Sequence, residues 1–282
     1  MMKLLSWNSR GMGHPSKSAA LRDLLQTERP EIVLIQETKQ SQSEMQIIIE
    51  AQKTFSGASS NSRGASGGIT TMWNKQYWDY KSSVLIQNWI RTNLINKEES
   101  CDLIIYNVYI PNHYREKEQC WKELKEEIDK EQNPNVILAG DFNLILHANE
   151  KRGGTFTPDP SRRQLETIMA EHELMDIIPK NRKYTWNNRR LGPGNIMERL
   201  DIILVNVSLL SSFAAGHTKI LSATASDHFP ILLTLDSHAH LGPIPFRYNP
   251  LWRDSAEAEA IIEETWKQHV EGSPNHIWET KL

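Results

Sequence analysis

Cysteine is scarce in this chain: Cys101 and Cys120 are the two among 282 residues. They form neither a CxxC pair nor a metal-ligand spacing. That argues against a disulfide-stapled or cysteine–metal protein and for a reducing compartment. Long hydrophobic runs are missing too. No apolar stretch approaches the roughly 20 residues that span a bilayer, so no membrane is expected. No secretory leader precedes the strand-like Lys3-Leu4-Leu5-Ser6-Trp7. The chain is therefore not expected to be secreted, and the sequon Asn206-Val207-Ser208 is expected to stay idle. Neither sign of charge dominates: 32 Lys and Arg stand against 35 Asp and Glu, a net charge of −3. The whole-chain charge does not announce a nucleic-acid binder, although an acidic site can hide a local basic face. No internal repeat is visible. What is there is ordinary globular composition, 39% hydrophobic and 24% charged. The length suits one large domain with an appendage, or two small ones.

The most informative stretch is Val136-Ile137-Leu138-Ala139-Gly140-Asp141-Phe142-Asn143. Four apolar residues read as a fully buried strand that the glycine ends. Asp141 and Asn143 then stand two apart, a spacing that turns both side chains one way in an extended chain. A carboxylate beside an amide suits a hard cation, a phosphate oxygen or an activated water. The same residues also favour a plain turn.

Around this stretch, apolar runs alternate with helical patterns. Strands are expected at Lys3–Ser9, Glu31–Glu37, Ile69–Trp73, Ser83–Ile86, Leu103–Ile110, Lys219–Ser222 and Phe229–Leu235. Helices are expected from near Ser16 to Pro30, over Ser43–Lys53, over Arg115–Lys130 and over Arg162–Leu174. Ser56–Gly68, rich in Ser and Gly, reads as a mobile surface loop. Tyr184–Trp186 and Leu200–Val205 read as a hairpin joined by a polar, Gly-rich loop. Strands single and in hairpins, with helices between, predict a layered α/β sandwich. After Asp236 the character changes. His238–His240 and Pro243–Pro245 read as a linker, and Ala256–Val270 as an amphipathic helix.

Five apolar strands share one feature. Polar residues stand at their mouths: Asn8, Glu37, Asp141 with Asn143, Ser226-Asp227-His228, and Arg199-Leu200-Asp201. Each alone is weak, because strand ends are naturally polar. Together, with four carboxylates and one His, they mark a site.

These motifs, in this order, carry a resemblance. Trp7-Asn8-x-Arg10-Gly11, Gln36-Glu37-Thr38, Tyr109-x-Pro111-Asn112, Gly140-Asp141-Phe142-Asn143, Arg199-Leu200-Asp201 and Ser226-Asp227-His228 resemble the endonuclease/exonuclease/phosphatase superfamily over residues 3 to about 236. Within it the chain looks most like the apurinic-type endonuclease domain of plant LINE-like (non-LTR) retrotransposons. The Trp-Asn-Ser-Arg-Gly opening and the tail Pro245-Phe246-Arg247-Tyr248 point there. The resemblance implies a four-layered α/β sandwich of two packed, mainly antiparallel sheets flanked by helices, like apurinic endonucleases and deoxyribonuclease I. It implies a domain at 1–236, and a linker and helix at 237–282 leading toward an absent reverse transcriptase.

It implies, further, a divalent-metal-dependent phosphodiesterase acting on double-stranded DNA, monomeric, nuclear or cytoplasmic. Asn8 and Glu37 would hold Mg2+ or Mn2+, with Asp227 at or near the metal. Asp141 would orient or deprotonate the attacking water and Asn143 steady it. His228 would bind the scissile phosphate, Asp201 would orient His228, and Tyr109 and Asn112 would contact phosphate oxygens. One departure stands out: many apurinic-type members carry Asp where this chain has Arg10. That makes nicking a better expectation than abasic-site repair and leaves Arg10 to touch the DNA backbone, or to be a surface loop residue. The stretch Lys180–Arg190 interleaves Arg182, Lys183, Arg189 and Arg190 with Tyr184 and Trp186. It suits phosphate contact and base stacking, or alternatively a solvated hairpin with core aromatics. Lys151-Arg152-Gly153-Gly154 would add to that basic rim. Two alternatives stay open: a phosphatase or RNA deadenylase with the same chemistry, and a decayed copy that binds DNA without cutting it.

Overall fold

The computed structural model describes residues 1–63, 66–222, 225–237 and 256–267. The chain divides into two units, Met1–Ala239 and His240–Leu282. The first opens with β1 (Met2–Asn8), α1 (Pro15–Glu28), β2 (Ile32–Gln36), α2 (Gln42–Glu50), β3 (Phe55–Arg63) and β4 (Ser66–Asn74). It continues with β5 (Trp78–Leu85), β6 (Trp89–Asn96), β7 (Asp102–Tyr109), α3 (Tyr114–Ile128), β8 (Val136–Asp141), β9 (Lys151–Arg152) and α4 (Arg162–Glu171). It closes with β10 (Leu174–Asp176), β11 (Trp186–Asn187), β12 (Met197–Glu198), β13 (Asp201–Asn206), α5 (Val207–Ser211), β14 (Ala215–Ile220) and β15 (Ile231–Asp236). In the second unit a helix, α6 (Ala256–Lys267), lies within the expected 256–270. The expected linker at 238–245 and Pro245–Tyr248 fall outside the described residues.

Two six-stranded sheets form, ordered β14-β15-β1-β2-β4-β3 and β10-β13-β8-β7-β6-β5. Within each, one central pair is parallel, β1 with β2 and β7 with β8, and the flanking pairs are antiparallel. A helix makes each parallel crossover, α1 in the first sheet and α3 in the second, as a parallel pair requires.

Side-chain alternation builds the layers. Leu4, Ile32 and Leu34 of the first sheet meet Ile105, Ile137, Ala139 and Ile203 of the second in a central core. The intervening residues turn outward. Leu5, Trp7, Val33 and Ile35 pack under α1 and α2 through Leu21, Leu24, Met45 and Ile49. Tyr106, Val108, Leu138 and Leu204 pack under α3 and α4 through Trp121, Leu124, Leu165 and Ile168. Each sheet is thus covered on both faces, which is why its central strands read as unbroken apolar runs. The result is the expected four-layered α/β sandwich.

Two expectations are corrected. Ser56–Gly68 is not a mobile loop, for most of it belongs to β3 and β4, paired over Phe55–Asn74. Small side chains are what the position requires: a Cβ on Gly57 would stand 2.8 Å from Ile49 of α2. The Ser59 and Thr70 hydroxyls bond across the pair at 2.9 Å, so the serines are satisfied within the layer. Nor do Tyr184–Trp186 and Leu200–Val205 form one hairpin. Trp186–Asn187 pairs with Met197–Glu198, which pairs with Lys151–Arg152 in a separate three-stranded sheet. Asp201–Asn206 instead joins the second large sheet beside β8. The strand β6, of mixed sequence, was not anticipated.

Gly140 sets how closely β7 and β8 approach. Its φ is +147°, and an added Cβ would lie 1.9 Å from the Val108 carbonyl oxygen. Gly140→Ala is expected to destabilise the fold by about 2–4 kcal/mol through backbone displacement. Urea denaturation checks this; an unchanged midpoint would refute the close-approach account.

Candidate active site

Strand direction gathers the polar ends. The parallel pairs deliver Asn8, Gln36, Tyr109 and Asp141 at the carboxyl ends of β1, β2, β7 and β8. The antiparallel neighbours begin there: Asp201 opens β13 and His228 precedes β15. In the second sheet Tyr109, Asp141 and Asp201 are direct register partners across β7, β8 and β13. Residues so aligned point to one face, so the two aspartates reach one place.

His228 stands between them, buried. Its Nδ1 lies 3.0 Å from Asp201 Oδ2 and its Nε2 3.8 Å from Asp141 Oδ2. Asp201 is itself seated by Thr185, whose hydroxyl oxygen accepts the Leu200 and Asp201 amides at 3.0 Å each. The His228 turn is tied to the far side of the site by Ser226, which donates to the Asn8 carbonyl at 2.8 Å and accepts the His228 amide at 3.2 Å.

Asn8 joins the first sheet to the second. Its Nδ2 donates to Asp141 Oδ2 at 2.7 Å and to Glu37 Oε1 at 3.0 Å. Two facing carboxylates leave the amino group as the only stable end to present. The Asn8 oxygen accepts the Arg10 amide at 3.0 Å. Beneath lies a polar floor shared by both sheets: Gln36 Nε2 donates to Asn107 Oδ1 at 2.7 Å and to Ser6 Oγ at 3.1 Å, and Asn107 donates to the Thr70 carbonyl at 2.9 Å.

On the open side, Arg10 spans two carboxylates, with Nη1 3.0 Å from Glu37 Oε1 and Nε 3.3 Å from Asp227 Oδ1. Lys39 stands 3.5 Å from the second Glu37 oxygen. Asp227 accepts the Trp186 indole N–H at 3.0 Å. The chemistry of this set fits a hard divalent cation: the donors are carboxylate oxygens, and a guanidinium already stands between two of them as a stand-in cation. Among the described residues, Asp141, Asp201 and His228 bring their ligand atoms within 4.8 Å of one another, and Glu37 and Asp227 face the open side next to them across Arg10.

Asn143 has φ +46° and its amide N–H bonds Asp141 Oδ1 at 3.0 Å. Its side-chain Nδ2 donates to the Ile110 carbonyl at 2.7 Å, so it braces the Asp141 turn rather than presenting that amino group to the site. Lys117, which the sequence did not single out, donates to the Asn143 carbonyl at 2.8 Å from the first turn of α3. Nothing in a lysine on a charged helix signals such a brace. Asn112 is exposed in the loop before α3.

The stretch expected to grip nucleic acid is laced onto the His228 turn. Trp186 forms a bridge with His228, Asn187 N–H donates to the Asp227 carbonyl at 3.1 Å, and Phe229 N–H donates to the Thr185 carbonyl at 2.7 Å. Arg189 donates to the Ser226 carbonyl, and the Arg182 guanidinium stands 5.7 Å from the Phe229 ring centre. Arg182, Lys183, Arg189 and Arg190 are exposed. Trp186 is half-buried and held by Asp227, so it is not a free stacking platform.

Burial and neighbouring charge set the protonation. Burial pushes the Asp141 carboxyl up to about 7 against the pull of His228, with Asp201 adding to the rise. Burial opposes charge on His228 as well, yet Asp201 and Asp141 outweigh it and raise the imidazole to about 9. At neutral pH His228 is therefore the cation of the cluster. Burial, then Glu37 and Asp141, holds the Tyr109 hydroxyl protonated. For Glu37 burial works the other way, but the Asn8 amide and Arg10 overcome it and leave the carboxyl below its usual range.

The profile of the Endonuclease/Exonuclease/phosphatase family matches residues 5–228. No curated protein matches the chain. Among solved structures, a 3′-5′ exonuclease (NExo) from Neisseria meningitidis is similar at 18% identity, with a TM-score of 0.67 over 83% of this chain and 100% of that one. The AP endonuclease LMAP from Leishmania major is similar at 18% identity, with a TM-score of 0.68 over 83% of this chain and 87% of that one. The endonuclease domain of TRAS1, a telomere-specific non-LTR retrotransposon, is similar at 15% identity, with a TM-score of 0.62 over 83% and 98%. At such identities these likenesses speak for the fold alone. Among the described residues no helix is long and apolar enough to cross a membrane.

The Asp141 shift carries a pH signature. The folded protein binds this proton up to about pH 7, the unfolded chain only to about 3.8. The carboxylate thus costs stability that is absent below the lower value, grows between the two and is full above the higher. Asp141→Asn is expected to raise the melting temperature of metal-free protein at pH 7.5 by roughly 2–4 °C, with less gain at pH 4.5. Calorimetry at both pH values tests it, and a lower melting temperature at pH 7.5 would contradict it.

Proposed function

Because the chain belongs to the Endonuclease/Exonuclease/phosphatase family, whose profile matches residues 5–228, we propose that it is a divalent-metal-dependent phosphodiesterase that nicks double-stranded DNA for a LINE-like retroelement. The observation that carries the chemistry is the buried row Asp201–His228–Asp141, with Glu37 and Asp227 beside it.

In this reading Glu37 and Asp227 would hold Mg2+ or Mn2+, with Asn8 locking Glu37 to Asp141. The bound ion would supply positive charge toward the phosphate, the usual need when a phosphodiester is hydrolysed. Asp141 accepts the proton of the attacking water, a role for which an elevated carboxyl near neutrality is suited. His228, cationic at neutral pH, turns its Nε2 side to the phosphate and stabilises charge building there, while Asp201 fixes the ring through Nδ1. Tyr109, held neutral, donates a hydrogen bond to a phosphate oxygen. Asn143 keeps the Asp141 turn in shape.

Support for a nucleic-acid substrate comes from where the basic residues sit. Arg182 and Arg189 bracket the turn Ser226–Phe229, with Lys183 and Arg190 exposed beside them. A phosphate backbone crossing His228 would meet positive charge on both sides. Arg152, with Lys151, belongs to the same small sheet. Asn112 and Arg10 lie on the substrate side in this reading. The retroelement assignment rests on the Trp7–Gly11 opening; the TRAS1 domain shares the fold. Residues 1–236 would carry the activity as a monomer acting in the nucleus, and 237–282 would lead toward a reverse transcriptase.

The test is nicking of supercoiled plasmid with Mg2+. The wild type is expected to convert it to open circles, EDTA to stop the conversion, and Asp141→Ala and His228→Ala each to slow it about 10²–10⁴-fold. An intact plasmid together with hydrolysis of an inositol phosphate or poly(A) would move the protein to another substrate. DNA binding without cleavage would make it a relic.

A further inference from the structure

Arg10 occupies an unusual position. Its φ of +54° is one a non-glycine residue adopts at a cost, held here by its own amide on the Asn8 side chain. The next two residues are pinned as well: Gly11 and Met12 donate to the Glu37 and Thr38 carbonyls at 2.7 Å each. This turn returns the side chain over the strand ends, where its Nη1 and Nε meet Glu37 and Asp227. Those are the two carboxylates that the metal-dependent reading assigns to the divalent cation. The two partners differ in freedom. The Glu37 side chain is 4% exposed and fixed by Asn8, whereas that of Arg10 is 42% exposed. The guanidinium can leave; the carboxylate cannot.

We propose that Arg10 is a built-in counter-cation: it neutralises Glu37 and Asp227 in the metal-free protein, and a divalent ion must displace it to bind. Arg10 thereby sets metal affinity, in addition to any contact it makes with substrate. This inference rests on the metal-dependent reading above. Competition follows from crowding and like charge: Glu37 Oε1 already accepts from Asn8 Nδ2 and Arg10 Nη1 at 3.0 Å each, and a divalent ion at about 2.0–2.6 Å from a Glu37 oxygen would repel the guanidinium beside it. A guanidinium keeps its charge at every practical pH, so protonation cannot relieve the competition.

Mn2+ binding measured by electron paramagnetic resonance, on the full chain without substrate, tests this. Arg10→Met keeps the length of the stem and loses the charge, and it is expected to bind Mn2+ at least about tenfold more tightly than wild type. Arg10→Lys is expected to fall between the two, and Glu37→Gln to lose binding in either background. The wild type offers a second readout that needs no variant. In ¹⁵N NMR its Arg10 Nε–H signal is expected to shift or broaden as Mg2+ is added, while that of Arg91, paired with Glu131, stays put. Equal Mn2+ affinity of wild type and Arg10→Met, with an unmoved Arg10 signal, would overturn the counter-cation alone. Absence of Mn2+ binding to wild type and Arg10→Met alike would overturn the metal reading and this inference with it.

Discussion

Negative charge packed into a largely buried sheet end is the constraint that organises this molecule. Glu37, Asp141, Asp201 and Asp227 converge where two sheets meet, and the first three are buried. Carboxylates in such surroundings are stable only beside positive charge or strong donors. His228 answers Asp141 and Asp201, Arg10 and Lys39 answer Glu37, and Arg10 with Trp186 answers Asp227. Much of the surrounding architecture holds these partners in place. Thr185 seats Asp201, Ser226 seats the His228 turn, and Lys117 braces the Asp141 turn from below.

The cores on either side serve the same end. Leucine, isoleucine and valine alternate across the sheets, so that each inner strand contributes to two apolar layers at once. Register is then strongly specified, since a slip of one residue would put the central core outside and the outer cores inside. At the site end this packing gives way to an amide floor, Gln36 with Asn107. Hydrogen bonds have direction where methyl contacts have none, so the sheets are held there at a set angle and distance.

Most of this was legible in the chain where backbone periodicity and chemistry coincide. Val136–Asn143 announced both a buried strand and the Asp at its mouth, and Asn8, Glu37, Asp201 and His228 followed from the same logic. The Ser56–Gly68 segment was not legible. Composition signals a loop, but a strand beside a closely packed helix also needs small side chains. Nor could sequence pair Trp186 with Met197 over Leu200, because short polar strands have little periodicity to read. The polarity of Asn8 was hidden for another reason. Which end of an amide faces a site depends on what lies opposite, and that is known only once Glu37 and Asp141 are seen on either side. Arg10 was visible as a departure, but its salt bridges depend on a left-handed turn that no residue pattern declares.

The position of β15 has a consequence for how the protein comes into being. This late strand lies between β14 and β1, with β1 drawn into the interior of the sheet. Until β15 emerges, the first strand synthesised has an open edge, and the turn bearing His228 has not yet reached Asn8. The chain therefore cannot assemble its charge cluster piecemeal from the amino terminus. A chain that ends before residue 228 has Glu37, Asp141 and Asp201 but lacks the His228 imidazole that answers the two aspartates. Assembly of the charge cluster therefore waits on the strand that closes the first sheet, so the fold of the sandwich and the geometry of its site form together.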